Sequence, residues 1–373
     1  MSVDNLFFEL IRVAIGNTDR LSHIPSNKEW NALYDMAKKQ SLVGVCFAAL
    51  QGLGADADDG FGRIGMSEIL YLNWMGMAAK ITQRNEVVNH QCAELQEKLS
   101  AYGFKSCILK GQGVAPLYGE QLHNLRQSGD IDALLWREGL CHKDNRKAVM
   151  LLASSIDKHA MGSEHHVHAH FFKDTDVELH YEPSYFCNPW ANRRFRRWCD
   201  IHRKDMVWCG SLGFMSPNVE YNVVFLLSHV FRHYLSEGVG LRQLMDYYFV
   251  LINRNNNTLC SDNYNMLRTL KSLNMLRFAS AVMWVMKEVF GMAEQYMICE
   301  PNERLGQKLL VHVMQGGNFG HHNTEAVASK NSHIGRFINQ VVQDISLSVD
   351  YPAEALWAPI SMIREFLRIR IKV

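Results

Sequence analysis

Residues Gly129 to Trp136 read G-D-I-D-A-L-L-W, an otherwise apolar run that carries two carboxylates one residue apart. Its length and composition predict a β-strand from Asp130 to Trp136. Successive side chains of a strand point to opposite faces, so Asp130 and Asp132 share one face and Ile131 and Ala133 the other. One face of the sheet can therefore be core. The other must meet something that neutralises two neighbouring negative charges, because an unpaired buried carboxylate is costly. A divalent cation meets that need, and hard carboxylate oxygens suit magnesium.

A second acidic strand follows in D-T-D-V-E-L-H-Y-E-P, where Val177 and Leu179 face one way and Asp176, Glu178 and His180 the other. If the two strands are neighbours, Glu178 joins Asp130 and Asp132. Three carboxylates around two metal ions are what in-line phosphoryl or nucleotidyl transfer uses. Two aspartates hold the ions that clamp phosphate oxygens, and the third carboxylate binds a metal while drawing a proton from the acceptor hydroxyl. A lone D-x-D also suits the solvated face of an edge strand, so its surroundings decide.

Those surroundings divide into three regions. From Asp4 to about Leu99 apolar residues recur at helical spacing, as in E-W-N-A-L-Y-D-M-A-K-K-Q-S-L-V-G-V-C-F-A-A-L, with an exposed Gly- and Asp-rich loop expected at 52–62. Gly103 stops the long helix, and Phe104 to Leu109 is β-compatible. G-Q-G-V-A-P-L-Y-G suits a short helix whose opening glycines let backbone amides face an anion. A helix near Lys143 to Ser154 and strands at H-H-V-H-A-H-F-F and D-V-E-L-H-Y-E-P complete a strand-rich centre, followed by a turn-rich stretch around Met215 to Asn218. Helical spacing then returns and runs towards the C-terminus. The expected organisation is a helical N-terminal region (1–100), a sheet core (101–215) and a helical C-terminal region (216–373), an α+β chain.

Lys plus Arg (39) balances Asp plus Glu (38), so any charged partner is met locally rather than through a global field. The nine cysteines include no C-x-x-C pair, which argues for reduced thiols and against zinc-knuckle chemistry. The N-terminus M-S-V-D-N-L-F-F-E-L carries acids that a secretory signal would lack, and no apolar run reaches the ~18–20 residues of a membrane span, so a cytoplasmic protein is expected.

The combination of Leu109-Lys110-Gly111, Leu117-Tyr118, Arg126, Gly129-Asp130-Ile131-Asp132 and Val177-Glu178-Leu179-His180 resembles the DNA polymerase beta superfamily of nucleotidyltransferases. More narrowly, it resembles the bacterial uncharacterised nucleotidyltransferase family. Its motifs cover about 75 residues. The resemblance implies a small mixed sheet of nucleotidyltransferase type flanked by helices. It also implies magnesium- or manganese-dependent transfer of a nucleoside monophosphate from a nucleoside triphosphate, ATP among them, to an acceptor hydroxyl, with release of pyrophosphate. Asp130, Asp132 and Glu178 would be the metal-binding and catalytic carboxylates, Glu178 also serving as base. The Gly111 turn would approach the triphosphate, with Lys110 or Arg126 offsetting its charge. Gly129, His180 and Arg242 complete the residues expected against the nucleotide. The acceptor stays open among a small molecule, a tRNA and a protein side chain. One departure is plain: the broad superfamily pattern has Gly or Ser after the turn glycine and a shorter spacing, whereas Gln112 follows Gly111 and eighteen residues separate Gly111 from Asp130.

Two other classes compete with an enzyme of this type. One is a non-catalytic nucleotide- or partner-binding module that keeps the fold. The other is a histidine-metal hydrolase, suggested by His166, His168 and His170 at alternate positions but lacking the aspartate of that signature. His229 and His233 sit one helical turn apart without the glutamate of H-E-x-x-H, which favours core or cleft packing. The basic run Asn192 to Trp198 reads as an amphipathic helix with a solvated face, with a grip on phosphate-rich RNA as the alternative. Arg242 and Asp246 are spaced to pair on one helix face. The tail S-M-I-R-E-F-L-R-I-R-I-K-V suits an edge strand or a surface helix.

Overall fold

The computed structural model describes residues 3–54, 60–158, 160–236, 238–255, 263–316 and 347–371. Five helices precede the first strand: α1 (Val3–Ala14), α2 (Asn27–Lys39), α3 (Val43–Gly52), the single turn α4 (Gly60–Arg63) and α5 (Glu68–Ala101). Helix α2 begins at a reciprocal cap, in which the Glu29 amide donates to Ser26 Oγ at 3.4 Å and the Ser26 amide donates to the Glu29 carboxylate at 2.8 Å. The helical spacing read across 29–50 divides at Ser41, whose φ of +55° turns the chain from α2 into α3. Of the loop expected at 52–62, residues 55–59 lie outside the described residues.

Helix α5, 34 residues long, ends at Gly103 with φ +75°, a conformation that glycine adopts without a Cβ clash. Next come β1 (Lys105–Ile108), two 3-10 turns at Gly111–Gly113 and Ala115–Tyr118, the single turn α6 (Gly119–Leu122), β2 (Ile131–Trp136), α7 (His142–Ile156), β3 (His166–His168) and β4 (Val177–His180). The remaining elements are α8 (Pro189–His202), β5 (Met206–Cys209), β6 (Phe214–Pro217), α9 (Val219–Leu235), α10 (Leu241–Asn255), α11 (Asn263–Ser272), α12 (Leu276–Phe290), α13 (Glu303–Gly316), α14 (Pro352–Ala355) and α15 (Ala358–Ile371).

Strands β1 to β4 form one mixed sheet in the order β1-β2-β4-β3, and β5 and β6 form a separate hairpin. The α+β class read from the sequence is the observed one. Several local readings change. Residues 111–118 form 3-10 turns rather than a short α-helix, since Gly113 N–H reaches only back to the Lys110 carbonyl at 2.7 Å. The expected strand over 165–172 shrinks to His166–His168, flanked by single hydrogen bonds from the Tyr181 amide to the His165 carbonyl and from the Ala169 amide to the Val177 carbonyl. The stretch around 215–218 is mainly strand β6, paired antiparallel to β5 through a turn at Gly213. The tail is helical from Ala358 to Ile371 and not an edge strand. Residues 317–346, where helical spacing was also read, lie outside the described residues.

Strand alternation sorts the sheet between two cores. Ile108, Ile131, Ala133, Leu135, Val167, Val177 and Leu179 join Val88, Cys92, Leu95 and Leu99 of α5 and Val149 and Leu152 of α7. Leu134 and Trp136 turn to the opposite face and join the larger core formed with α1–α3 and α9–α13. Each buried aliphatic side chain contributes about 1.5–3 kcal/mol. A one-residue slip of β4 would expel Val177 and Leu179 and bury Glu178 in their place, so the register is strongly specified.

Candidate active site

Parallel pairing of β2 with β4 sets Asp132 beside Glu178 and Leu134 beside His180. The preceding residue pair is anchored by the Ile131 amide donating to the Asp176 carbonyl at 2.9 Å. Asp130 lies just before β2 rather than in it, and is exposed where the chain enters the strand. Asp132, by contrast, is only 2% exposed.

Burial of Asp132 is offset by two cationic neighbours. Lys110 Nζ lies 3.0 Å from Asp132 Oδ1, and His180 Nε2 lies 2.9 Å from the same oxygen and 3.2 Å from Glu178 Oε2. His180 Nδ1 faces the Glu182 carbonyl at 3.3 Å, so both ring nitrogens look onto acceptors and the imidazolium form satisfies both. Burial alone would pull the His180 pKa down, but its hydrogen bonds to Asp132 and Glu178 outweigh that and raise it. For Glu178 burial pushes up, yet the His180 hydrogen bond and charge and the nearby Lys110 hold the carboxyl well below the usual range. The Asp130 carboxyl is raised, first by the Asp132 charge beside it.

The turn that follows β1 is shaped by its glycines. Gly111 has φ +48°, and a Cβ on Gly113 would stand 2.2 Å from the Ile108 carbonyl oxygen, so only glycine lets the chain double back against β1. Lys110, Gly111, Gly129, Asp130 and Asp132 line one side of a cavity. Arg126, Arg242, His229, Gln243 and Asp246 line the other, so that helices α9 and α10 close over the sheet. Arg126 makes a buried two-pronged pair with Asp246, Nε to Oδ1 and Nη2 to Oδ2 both at 2.7 Å, and Tyr118 Oη donates to Asp246 Oδ1 at 2.6 Å. Asp246, expected against Arg242, thus holds Arg126. Arg242 donates to the Gln127 carbonyl at 2.8 Å, and burial followed by the Arg126 charge pushes its pKa down to about 10, which leaves it cationic at neutral pH.

The site also rests on residues that carried no sequence signal. Asn85 of α5 donates to the carbonyls of Asn124 and Arg126, at 2.7 and 2.8 Å, and so fixes the loop that leads into Asp130. Arg84 donates to the Asp174 carbonyl at 2.7 Å and to Thr175 Oγ1 at 2.6 Å, and Gln91 Nε2 donates to Asp174 Oδ1 at 2.8 Å; together they fix the entry to β4. A polar residue on a helix face looks the same in sequence whether it meets water or a loop. His229 and His233 are buried in α9 with rings 4.3 Å apart, in keeping with packing, and His229 is kept neutral by burial and by Lys110. Of the three alternating histidines, His166 and His168 lie on β3 beside Glu178, whereas His170 leaves the strand and bonds Asp157 at 2.8 Å.

Residues 26–291 match the protein family described as uncharacterised nucleotidyltransferase. The chain belongs to that family. The match spans every sheet strand and both helices that close the cavity, so the nucleotidyltransferase assignment covers the whole site described above. No curated protein and no solved structure matches the chain. Among the described residues no helix is long and apolar enough to cross a membrane. A general role in nucleotidyl transfer follows from membership of this nucleotidyltransferase family.

Proposed function

We propose that the protein transfers a nucleoside monophosphate from a nucleoside triphosphate to an acceptor hydroxyl, with Asp130, Asp132 and Glu178 as its divalent-cation ligands. The observation that carries this reading is the parallel β2/β4 register, which sets the Asp132 and Glu178 carboxylates side by side one residue after Asp130. The donor set suits the ion: ligand oxygens of Asp132 and Glu178 lie within 4.8 Å of each other, and hard carboxylate oxygens favour magnesium or manganese. When bound, the cation would supply positive charge to the phosphate oxygens and orient the in-line displacement.

The chain's own residues do the rest. Gly111 brings backbone close to the phosphates, while Lys110 and Arg242 face the same cavity as cations and Gly129 lines it. Arg126, already committed to Asp246, holds the wall of the cavity. The acceptor oxygen bonds to the α-phosphorus as the bond to the bridging oxygen breaks, and pyrophosphate leaves with that electron pair. Glu178 receives the hydroxyl proton. His180 keeps Glu178 and Asp132 aligned.

Thermal unfolding with each nucleoside triphosphate, with and without magnesium, tests donor binding before any acceptor is known. A triphosphate at 100 times its dissociation constant should add about 2.7 kcal/mol, only in the presence of magnesium. Asp130→Ala, at an exposed position, should remain folded and lose that gain. A protein indifferent to every triphosphate would end this reading.

A further inference from the structure

The sheet face that carries the acid pair continues across β4 to β3, where it collects imidazoles. In the antiparallel β3/β4 ladder His168 stands opposite Glu178 and His166 opposite His180. The period of two puts His166 and His168 on one face, their rings edge to face with centroids 5.1 Å apart. His166 Nδ1 lies 3.4 Å from Glu178 Oε2, and His168 Nε2 lies 3.9 Å from Glu178 Oε1. One ligand atom from each of the three falls within 4.8 Å of the others. We propose that His166, His168 and Glu178 bind a borderline divalent transition cation of the zinc or cobalt class, at a site that adjoins the Asp130/Asp132 pair and shares Glu178 with it.

Two imidazoles and a carboxylate are the donor set of three-ligand zinc sites, which leave a fourth position to water. Ligands about 2.0–2.2 Å from a tetrahedral ion lie roughly 3.3–3.6 Å from one another. The observed 3.4 Å separation already suits that geometry, and the 3.9 Å separation closes by a small swing of His168, whose side chain is 58% exposed. Imidazole donors favour zinc and cobalt, whereas magnesium is reluctant to exchange oxygen for nitrogen.

His165, not one of the three ligands, is 3% exposed and faces His166 Nδ1 with its Nε2 at 3.2 Å. None of this depends on a nucleotide or on transfer chemistry.

The test is a titration of the full-length protein with Co2+, followed by its visible absorption, in parallel with the magnesium-triphosphate stabilisation. The wild type should take up one equivalent of Co2+, released by Zn2+ and not by excess Mg2+. Because losing even an outer partner of a ligand costs roughly 10–100-fold in affinity, His168→Ala and His166→Gln should each weaken Co2+ binding at least tenfold. Asp130→Ala should bind Co2+ as the wild type does. Wild-type protein that ignores Co2+, or Co2+ affinity unchanged in His168→Ala, overturns the site and leaves the transferase reading standing. Co2+ uptake that follows the histidines without any magnesium-triphosphate stabilisation sinks the transferase reading alone.

Discussion

At the scale of single residues, the strongest commitment in the cavity wall is Arg126 to Asp246. Both side chains are about 5% exposed, and the two-pronged contact satisfies their charge where water cannot. Removing one partner strands the other, which costs about 3–5 kcal/mol, whereas removing both leaves no orphaned charge. Arg126→Ala and Asp246→Ala should each destabilise the protein by that amount, and the double variant should lose clearly less than their sum. A urea-unfolding double-mutant cycle reads this directly, and strictly additive losses would show that the pair is not coupled. The same logic explains Asp132. Buried beside Lys110 and His180, it is compensated locally, whereas the Asp130 carboxyl at the mouth is raised by the Asp132 charge beside it.

At the scale of elements, helix α2 shows how a local cap acts. Ser26 and Glu29 exchange hydrogen bonds across the first turn, and the Ser26 amide, followed by its hydroxyl, lowers the exposed Glu29 carboxyl to about 2. Ser26→Ala should lower stability by about 1 kcal/mol at neutral pH. The carboxyl has a depressed folded pKa, so its share of the cap is present above the ordinary 4.5 and fades as pH falls towards 2. The gap between wild type and Ser26→Ala should therefore narrow across that window, measured by thermal unfolding at stepped pH. A gap independent of pH would mean that the serine hydroxyl acts alone. Helix α8 makes a different point at this scale. Its Asn188 cap accepts from the amides of Trp190 and Ala191, while Arg193, Arg194 and Arg197 are exposed, so the basic run is the solvated side of an amphipathic helix.

At the scale of the molecule, the N-terminal helix packs against α12. One core contains Leu6, Phe7, Leu10 and Ile11 of α1 together with Phe278, Val282, Val289 and Phe290 of α12. Asn17 Nδ2 adds hydrogen bonds across that seam, to the Phe290 carbonyl at 2.6 Å and to Tyr248 Oη at 2.8 Å. Asn17→Ala should cost about 1–3 kcal/mol by leaving those acceptors unpaired, while unfolding stays a single transition because one core joins α1 to α12. Two resolved transitions in calorimetry would show that the N-terminal helices melt on their own.

Much of this was legible before any tertiary structure. The period-two pattern in G-D-I-D-A-L-L-W and V-E-L-H determined the strands, their core faces and the shared face of Glu178 and His180, because side-chain alternation is a local property of extended chain. Gly103 likewise marked a helix end through its own φ. Which strand lies beside which is not local. Only the folded sheet decided that β2 and β4 pair in parallel with Asp132 opposite Glu178. Only the packing of α10 over the sheet decided that Asp246 meets Arg126, 120 positions away, and not simply the arginine one turn before it. Propensity and periodicity act over a few residues, whereas the partner of a buried charge is chosen by whichever element covers it.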